Sequence, residues 1–140
     1  MKAFISYRFT GEKVEALKAL LIPIQDSLKK SGIDAYCNLS DDNLEERSKN
    51  FKPQDHVFDA FKIIDAVDIL FVVLTSEDKS EGMILEIGYA IAKGLPVVVA
   101  LKEGVEKTYL PGMAKLSISW NDIDDLLSKI NSTDFRALTV

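Results

Sequence analysis

The first guide to the fold is the stretch from Ser80 to Leu101, which predicts a helix followed directly by a buried strand. Ser80 is a favoured N-cap residue, and Glu81 places a carboxylate in the first turn, where the helix dipole stabilises it. Gly94 is suited to end the helix in a left-handed conformation. The apolar run from Pro96 to Leu101 is typical of a strand that is covered on both faces. Such a unit indicates an α/β protein with a parallel sheet.

The rest of the chain repeats this alternation of strand and helix. The predicted strands are residues 2–7, 33–37, 67–74, 96–101 and 114–120. Predicted helices cover residues 12–31, 58–66 and 80–94, and a closing helix is capped by Asn121. Right-handed crossovers then favour an open, doubly wound sheet of five parallel strands in the order 2-1-3-4-5, with helices on both faces. We expect residues 1–140 to form a single domain.

Three segments lack the hydrophobic periodicity of a helix or a strand. Residues 38–55 carry charges of both signs, and we predict an exposed loop of the length at which loops become functional or mobile. Residues 102–111 are predicted to be a connecting loop, and residues 133–140 a loose tail. His56 falls at the edge of the polar segment and is expected to be exposed.

Composition argues against several classes of function. A net charge of −5 disfavours a nucleic-acid partner. Cys37 is the only cysteine, which excludes an internal disulfide, and one histidine besides excludes a Cys/His zinc site. No apolar run reaches membrane-spanning length, and the N-terminus does not resemble a signal peptide. We therefore expect a cytoplasmic protein that binds no membrane and needs no metal or cofactor.

Glu86 is the anomalous residue of the central helix. Its neighbours at helical spacing are Gly82, Met83, Tyr89 and Ala90. A carboxylate on such a small, apolar face is costly unless it is paired or lines a cavity. Gly82, one turn earlier, leaves room for a cavity above it.

The predicted topology brings an anion site close to this carboxylate. Doubly wound sheets bind ligands beyond the carboxyl ends of their strands, at the switch between the first and third strands. Ser6, Arg8 and Thr10 follow the first strand, and the helix after Ser80 offers free backbone N–H groups. Together they could hold a phosphate. A carboxylate beside it, Glu86, then favours chemistry at a sugar, with the Glu as nucleophile or ion-pair partner.

The segment SEGMILEIGYAIAKGLPVVV resembles the signature of the nucleoside 2-deoxyribosyltransferase family, in which a helical Glu lies in the pattern S/D-x-G-x-x-x-E-[LI]-G-x-A. The matching residues are Ser80, Gly82, Glu86, Ile87, Gly88 and Ala90. The resemblance implies a flavodoxin-like fold and a catalytic Glu86 that attacks the anomeric carbon and expels the base. Water or a second base then releases the sugar. Family members are usually homodimers or larger homo-oligomers, which we also expect here.

Two details favour the branch of the family that hydrolyses nucleoside 5'-monophosphates. That branch is similar to this chain in having serine at position 80, where transferases of free nucleosides have aspartate. It also has Ser-x-Arg after the first strand for the phosphate, which Ser6-Tyr7-Arg8 matches. The resemblance thus implies a small-molecule partner, a nucleoside or nucleotide.

The same resemblance implies further site residues. An aspartate on the helix before the third strand protonates or steers the leaving base, and Asp59 is the best match, with Asp55 and Asp65 as substitutes. Gly82 and Met83 are expected to contact the substrate together with Ser80. A family tyrosine that touches the nucleophile has no match early in the first strand. Tyr7 lies several residues later, and we expect it among the substrate-binding residues with Ser6 and Arg8.

A second resemblance gives an alternative. FISYRFTGEKVEAL is similar to the opening of a TIR domain, and catalytic TIR domains use a helical Glu to cleave NAD. Their helix usually has a Trp-Cys or similar pair before the Glu, which SEGMILEIG lacks. Other TIR domains are non-catalytic adaptors. An NAD-cleaving domain and a non-catalytic, nucleotide-binding interaction module therefore remain as alternatives.

Other residues have simpler interpretations. Glu86 itself could be a structural carboxylate that accepts a hydrogen bond. Trp120 and the phenylalanines are predicted to be core residues rather than a platform for base stacking. Tyr109 and Met113 are expected to reach the pocket of a neighbouring subunit, by the same family resemblance.

Overall fold

A computed structural model describes residues 1–139, which form a five-stranded sheet between two layers of helices. The strands are β1 (Lys2–Ser6), β2 (Asp34–Tyr36), β3 (Ile69–Leu74), β4 (Val97–Lys102) and β5 (Leu116–Trp120). The helices are α1 (Val14–Lys30), α2 (Leu44–Arg47), α3 (Pro53–Ile64), α4 (Glu81–Ala92), α5 (Leu110–Met113) and α6 (Ile123–Asn131).

The sheet has the order β2-β1-β3-β4-β5, and every pair of neighbouring strands is parallel. This confirms the predicted doubly wound topology. The register places Ser6, the last residue of β1, opposite Val72 of β3. The chain reverses its direction of winding between β1 and β3, so the crevice at their carboxyl ends is the expected ligand site.

Helices cover both faces of the sheet. Helices α1 and α6 pack together on one face, and α3 and α4 pack together on the other. All six residues of β3 are buried because this strand lies at the centre of the sheet under both layers. That position explains its uniformly apolar sequence, which contains no polar residue to face solvent.

The central helix and strand form as their sequence predicts. The Ser80 hydroxyl caps α4 by accepting a hydrogen bond from the Met83 N–H at 3.2 Å. Gly94 ends the segment with a φ of 74°, a conformation that costs glycine little. The cap fixes the start of α4 at the carboxyl edge of the sheet, which is where the candidate site lies.

The polar segment is more ordered than predicted. It contains a 3₁₀ turn at Asn38–Ser40 and the short helix α2, and α3 begins at Pro53 rather than at residue 58. The carboxylate of Asp55 accepts a hydrogen bond from the Lys52 N–H at 2.8 Å, and Pro53 occupies a first-turn position that needs no N–H donor. These local signals start α3 one turn earlier, so His56 lies on a helix.

The C-terminal predictions need two corrections. Asp122, not Asn121, caps α6, because its carboxylate accepts a hydrogen bond from the Asp125 N–H at 2.9 Å. Residues Phe135–Thr139 form a 3₁₀ helix instead of a loose tail, since Phe135 is buried against Phe71. Val140, also assigned to that tail, lies outside the described residues. Within residues 1–139, every helix is too short or too polar to cross a bilayer.

Candidate active site

A cleft of about 920 Å³ opens at the carboxyl end of β1. Its walls are the residues that follow β1, the first half of α3 and the first turns of α4. The lining residues include all of the predicted site residues except Ser6, which lies beneath it, and Asp59. The cleft therefore occupies the topological switch point, as the strand order predicts.

Glu86 lies in the wall of this cleft, on the second turn of α4. Its Oε1 accepts a hydrogen bond of 2.7 Å from the Ser6 hydroxyl, and Ser6 is only 1% exposed. Among residues 1–139, no lysine, arginine or histidine forms a salt bridge with Glu86. Burial disfavours the charged form, so the pKa of Glu86 rises to about 7 although the bond from Ser6 lowers it.

The bond from Ser6 changes the role expected for that residue. Ser6 was predicted to contact a phosphate, whereas its hydroxyl is already donated to Glu86. The strand β1 thus supports the candidate nucleophile directly, because its last residue lies beside the middle of α4. The pattern Ser-x-Arg gave no hint of this contact.

A smaller cavity of about 130 Å³ continues from the cleft. Both spaces are lined by Phe4, Asn38, His56, Val57, Gly82 and Glu86. A Cβ atom added at Gly82 would meet nothing within 4 Å, so the missing side chain leaves this space open. The cavity also reaches Asp59, which places Asp59 and Glu86 on the walls of one small chamber.

Asp59 is held by an arginine that the sequence did not indicate. Arg47 of α2 donates from NH2 to Oδ2 of Asp59 at 2.8 Å and from Nε to Oδ1 at 3.4 Å. The same guanidinium binds Asp41 at 2.8 Å. These carboxylates and the Tyr36 hydroxyl raise the pKa of Arg47 well above its usual range. Asp59 is therefore one half of a bidentate ion pair.

The two substitutes for Asp59 lie elsewhere. Asp55 binds the backbone at the start of α3. Asp65 accepts a hydrogen bond from the Tyr89 hydroxyl at 2.6 Å and pairs with Lys93 at 3.2 Å, outside the two cavities. Of the three candidate aspartates, only Asp59 reaches the chamber that Glu86 lines.

Tyr7 is buried at the cleft, and its hydroxyl donates to Oδ1 of Asn38. Burial and the nearby charge of Glu86 raise the pKa of Tyr7 above its usual value, so the phenol stays protonated. Tyr7 thus has a place in the site despite its late position in the strand. Asn38 was missed in the sequence, because a lone asparagine in a polar segment carries no pattern.

Arg8 lies at the mouth of the cleft, beside two acidic residues. It forms an ion pair with Glu12 one turn along the chain, and a second one with Asp78 at 3.5 Å. The exposed start of α4 lies on the same side, where Ser80 and Gly82 line the cleft. Met83, predicted to contact substrate, lines the cleft but is almost fully buried. An anion at this end must share Arg8 with Glu12 and Asp78.

Two phenylalanines contradict the prediction that these residues belong to the core. Phe9 is 50% exposed and Phe58 is 60% exposed, and both line the cleft. For Phe58 on α3 the prediction failed because a phenylalanine in an amphipathic helix is usually buried, whereas Phe9 lies in the loop between β1 and α1. His56, expected to be exposed, is so and stacks edge-on against Phe51. Tyr109 and Met113 are also exposed, next to a separate groove.

Within residues 1–139, no group of three or more His, Cys, Asp or Glu side chains is arranged to hold a metal ion. The polar groups that line the cleft and the chamber include the carboxylates of Glu86 and Asp59, the Tyr7 phenol, the Asn38 amide and the Arg8 guanidinium. This set can attack an electrophilic carbon and contact the polar edge of a ring.

Comparison with known proteins identifies a family for most of the chain. The family described as nucleoside 2-deoxyribosyltransferase matches residues 7–116, which is most of the chain. Among curated protein sequences, none matches significantly.

Solved structures share the fold at low identity. The CMP N-glycosidase BcmB of Clostridium botulinum has a TM-score of 0.70 at 18% identity, covering 94% of this chain and 98% of that one. A conserved protein from Enterococcus faecalis V583 has a TM-score of 0.68 at 20% identity, with coverage of 93% and 96%. A 2-deoxyribosyltransferase from Bacillus psychrosaccharolyticus has a TM-score of 0.68 at 18% identity, with coverage of 100% and 97%.

Proposed function

This chain belongs to the nucleoside 2-deoxyribosyltransferase family, and we propose that it hydrolyses the N-glycosidic bond of a nucleoside or 2'-deoxynucleoside 5'-monophosphate. The family match supports an enzyme that cleaves or transfers glycosidic bonds. The monophosphate substrate and the residue roles are our proposal. Its main support is the arrangement of Glu86, a half-buried carboxylate without a cationic partner that lines an open chamber.

In the proposed reaction, the Glu86 carboxylate attacks C1' of the sugar. The C1'–N bond breaks with its electron pair going to the base, and a glycosyl ester forms on Glu86. Water then attacks C1', which restores the carboxylate and leaves a hydroxyl on the sugar. One proton of that water is transferred, in net terms, to the departed base. A half-buried, uncompensated carboxylate suits this reaction because it stabilises a positive sugar carbon more strongly than a fully solvated one does.

The 5'-phosphate is proposed to bind between Arg8 and the start of α4. Free N–H groups of the first turn favour an anion, and Arg8 adds charge-assisted hydrogen bonds. The phosphate must replace the contacts that Arg8 makes with Glu12 and Asp78. Ser6 is proposed to serve Glu86 instead of the phosphate, since its hydroxyl is already donated there.

Asp59 is proposed to steer the leaving base. The sequence left open whether this residue protonates the base or orients it. Its bidentate pairing with Arg47 favours orientation, because a carboxylate that faces a guanidinium is bound in its ionised form. Phe58 and Val57 give the base an apolar contact surface at the cleft.

We also propose that the enzyme is cytoplasmic and works as a homodimer or larger homo-oligomer. Tyr109 is 88% exposed and Met113 lies next to it across one turn of α5, which is a costly arrangement of apolar surface in an isolated chain. A second copy would cover these side chains.

The test is a substrate panel. The protein is incubated with nucleosides, with their 5'-monophosphates and with NAD, and free base is measured by chromatography. We expect base from monophosphates at a higher kcat/KM than from the matching nucleosides. Release of nicotinamide from NAD, with no base from the other compounds, would instead support the TIR-like alternative. No base from any compound would favour a non-catalytic binding module.

A further inference from the structure

The contact between Arg47 and Asp59 joins two parts of the chain that the sequence keeps separate. Arg47 belongs to α2, inside the polar segment, while Asp59 lies on α3. The Asp59 side chain is only 19% exposed, so water screens this ion pair less than it screens a surface pair. Two donors of one guanidinium engage both oxygens of the carboxylate, which fixes the plane of the carboxylate as well as its position.

A second contact anchors Arg47 itself. Its NH1 binds Asp41 at 2.8 Å, and the Tyr36 hydroxyl donates to the same Asp41 carboxylate at 2.7 Å. Arg47 is thus held from the side away from Asp59, by a residue that does not line the chamber with Glu86. The guanidinium is a fixed support for Asp59 rather than a mobile surface side chain.

This support determines what Asp59 offers to a ring in the chamber. Each carboxylate oxygen has a second lone pair, so an oxygen bound to Arg47 can still accept one more hydrogen bond. An ionised carboxylate has no proton to donate. A ring edge that presents an N–H group is therefore stabilised at Asp59, whereas a carbonyl oxygen in the same place meets a negative charge.

We propose that Arg47 is a positioning residue that holds Asp59 as a hydrogen-bond acceptor and thereby selects bases that carry an exocyclic amino group. This inference rests on the proposed function, because it concerns the base of that substrate. Cytosine and uracil differ at this position, since one presents an amino group where the other presents a carbonyl oxygen. Adenine and hypoxanthine differ in the same way.

The chamber opens into the larger cleft, so its volume of about 130 Å³ does not limit the base to a single ring. The purine pair remains the comparison that separates ring size from the amino group.

The experiment measures kcat/KM for cytidine and uridine 5'-monophosphates, in the ribo and deoxy forms, and for the adenine and hypoxanthine pair. For the wild-type protein we expect at least a 10-fold preference for the amino base in each pair, the size expected when a buried polar group is left without its partner. In Arg47→Met the preference falls to about 3-fold or less, because Asp59 loses the two contacts that fix the position and plane of its carboxylate. Arg47→Lys keeps the charge without the bidentate fork and gives an intermediate ratio.

Lys129→Met is the matched control. It removes the ion pair between Lys129 and Asp125 on α6 but leaves Arg47, Asp41 and Asp59 in place, so the ratio between amino and oxo bases stays within about 2-fold of the wild-type ratio. A ratio lost equally in Lys129→Met would mean that the loss in Arg47→Met reports a general disturbance of the fold, and would overturn the proposal. So would a wild-type ratio in Arg47→Met.

If Arg47→Met folds poorly, as a lowered melting temperature would show, the ratio between amino and oxo bases is measured in Asp59→Asn instead. Asparagine keeps the size of Asp59, and its amide can turn its N–H₂ towards the base, so the ratio must fall or invert. An unchanged ratio there overturns the proposal. A wild-type protein that releases no base would contradict the proposed function and this inference together, whereas an active wild type with unresponsive variants contradicts the inference alone.

Discussion

Two carboxylates of the same chamber, Glu86 and Asp59, have opposite surroundings. Glu86 is half-buried, receives one hydrogen bond from Ser6 and pairs with no cation within residues 1–139. Two nitrogens of the Arg47 guanidinium bind the two carboxylate oxygens of Asp59. One carboxylate keeps its charge available for an incoming positive centre, while the charge of the other is already compensated.

The contrast shows how a fold assigns roles to identical chemical groups. Enzymes that use two carboxylates commonly place them in environments that separate their protonation behaviour. Here α4 carries Glu86, the poorly solvated carboxylate, and α2 carries Arg47, the cation that pairs with Asp59. The surroundings rather than the residue type therefore make Glu86 the proposed nucleophile and Asp59 the proposed contact for the base.

The largest expected effect comes from removing the uncompensated carboxylate. Glu86→Gln keeps the size and the hydrogen bond from Ser6 but cannot attack C1', so kcat for base release should fall at least about 10³-fold. The melting temperature should be retained or raised, because a buried charge is removed. Asp65→Asn, which alters an aspartate outside the chamber, is the control and should leave kcat unchanged. Retained turnover in Glu86→Gln would reverse the roles of the two carboxylates.

The free energy of unfolding should depend on pH because of the surroundings of Glu86. The pKa of Glu86 is about 7 in the folded protein and 4.5 ordinarily, so the unfolded chain loses this proton first as pH rises. The free energy of unfolding should therefore decrease from pH 4.5 to 7 by about 3 kcal/mol from this group, and stay constant above. Urea unfolding of wild type and Glu86→Gln at pH 5 to 8 isolates this change. A difference between them that is independent of pH would show that folding does not desolvate the Glu86 carboxylate.

A smaller effect is expected from Ser6→Ala. Losing the hydroxyl raises the pKa of Glu86 further, because the bond from Ser6 stabilises the ionised form. The pH midpoint of kcat should move upward, and kcat at pH 7 should fall about 10-fold. Ser27→Ala is a matched control, since Ser27 is also buried but donates to Asn131 at 3.0 Å, far along the chain from the cleft. An unshifted midpoint would mean that the Ser6 bond does not tune the nucleophile.

The smallest effect concerns the mouth of the cleft. Glu12→Gln frees Arg8 from an acidic partner, so KM for monophosphates should fall about 2- to 5-fold while KM for nucleosides is unchanged. Arg8→Ala should instead raise KM for monophosphates and leave KM for nucleosides unchanged. Glu15→Gln, an exposed acid in the first turn of α1, is the control for general charge effects. Equal changes for nucleosides and monophosphates would remove Arg8 from the phosphate site.

Much of the architecture was predictable from local signals. Ser80 and Gly94 delimit the central helix as expected, and the apolar runs around Phe71 and Val99 become the buried strands. Errors occur where two neighbouring residues compete for one role, as with Asn121 and Asp122 at the start of α6. They also occur where a distant contact orders a segment, as Phe71 does for Phe135.

The candidate site was predictable in part. Glu86 stands out in the sequence because its charge interrupts an apolar helical face. Arg8 stands out because it follows the first strand, at the switch point of the sheet. Arg47 and Asn38 break no pattern in their polar surroundings, so nothing in their sequence neighbourhood marks them. The exposed Phe58 carried a misleading signal, because apolar residues on a helix are ordinarily buried.

Periodicity, caps and breakers thus determine the α/β alternation and the presence of a carboxylate on an apolar helical face, because these depend on residues a few positions apart. The sheet order follows from that alternation through the right-handedness of the crossovers. The partners of that carboxylate and of Asp59 depend on the folded chain. Ser6 meets Glu86 across 80 positions, and Arg47 meets Asp59 only after the polar segment folds back on α3. Contacts between residues without a common period arise from packing, and packing decided which acid carries an uncompensated charge.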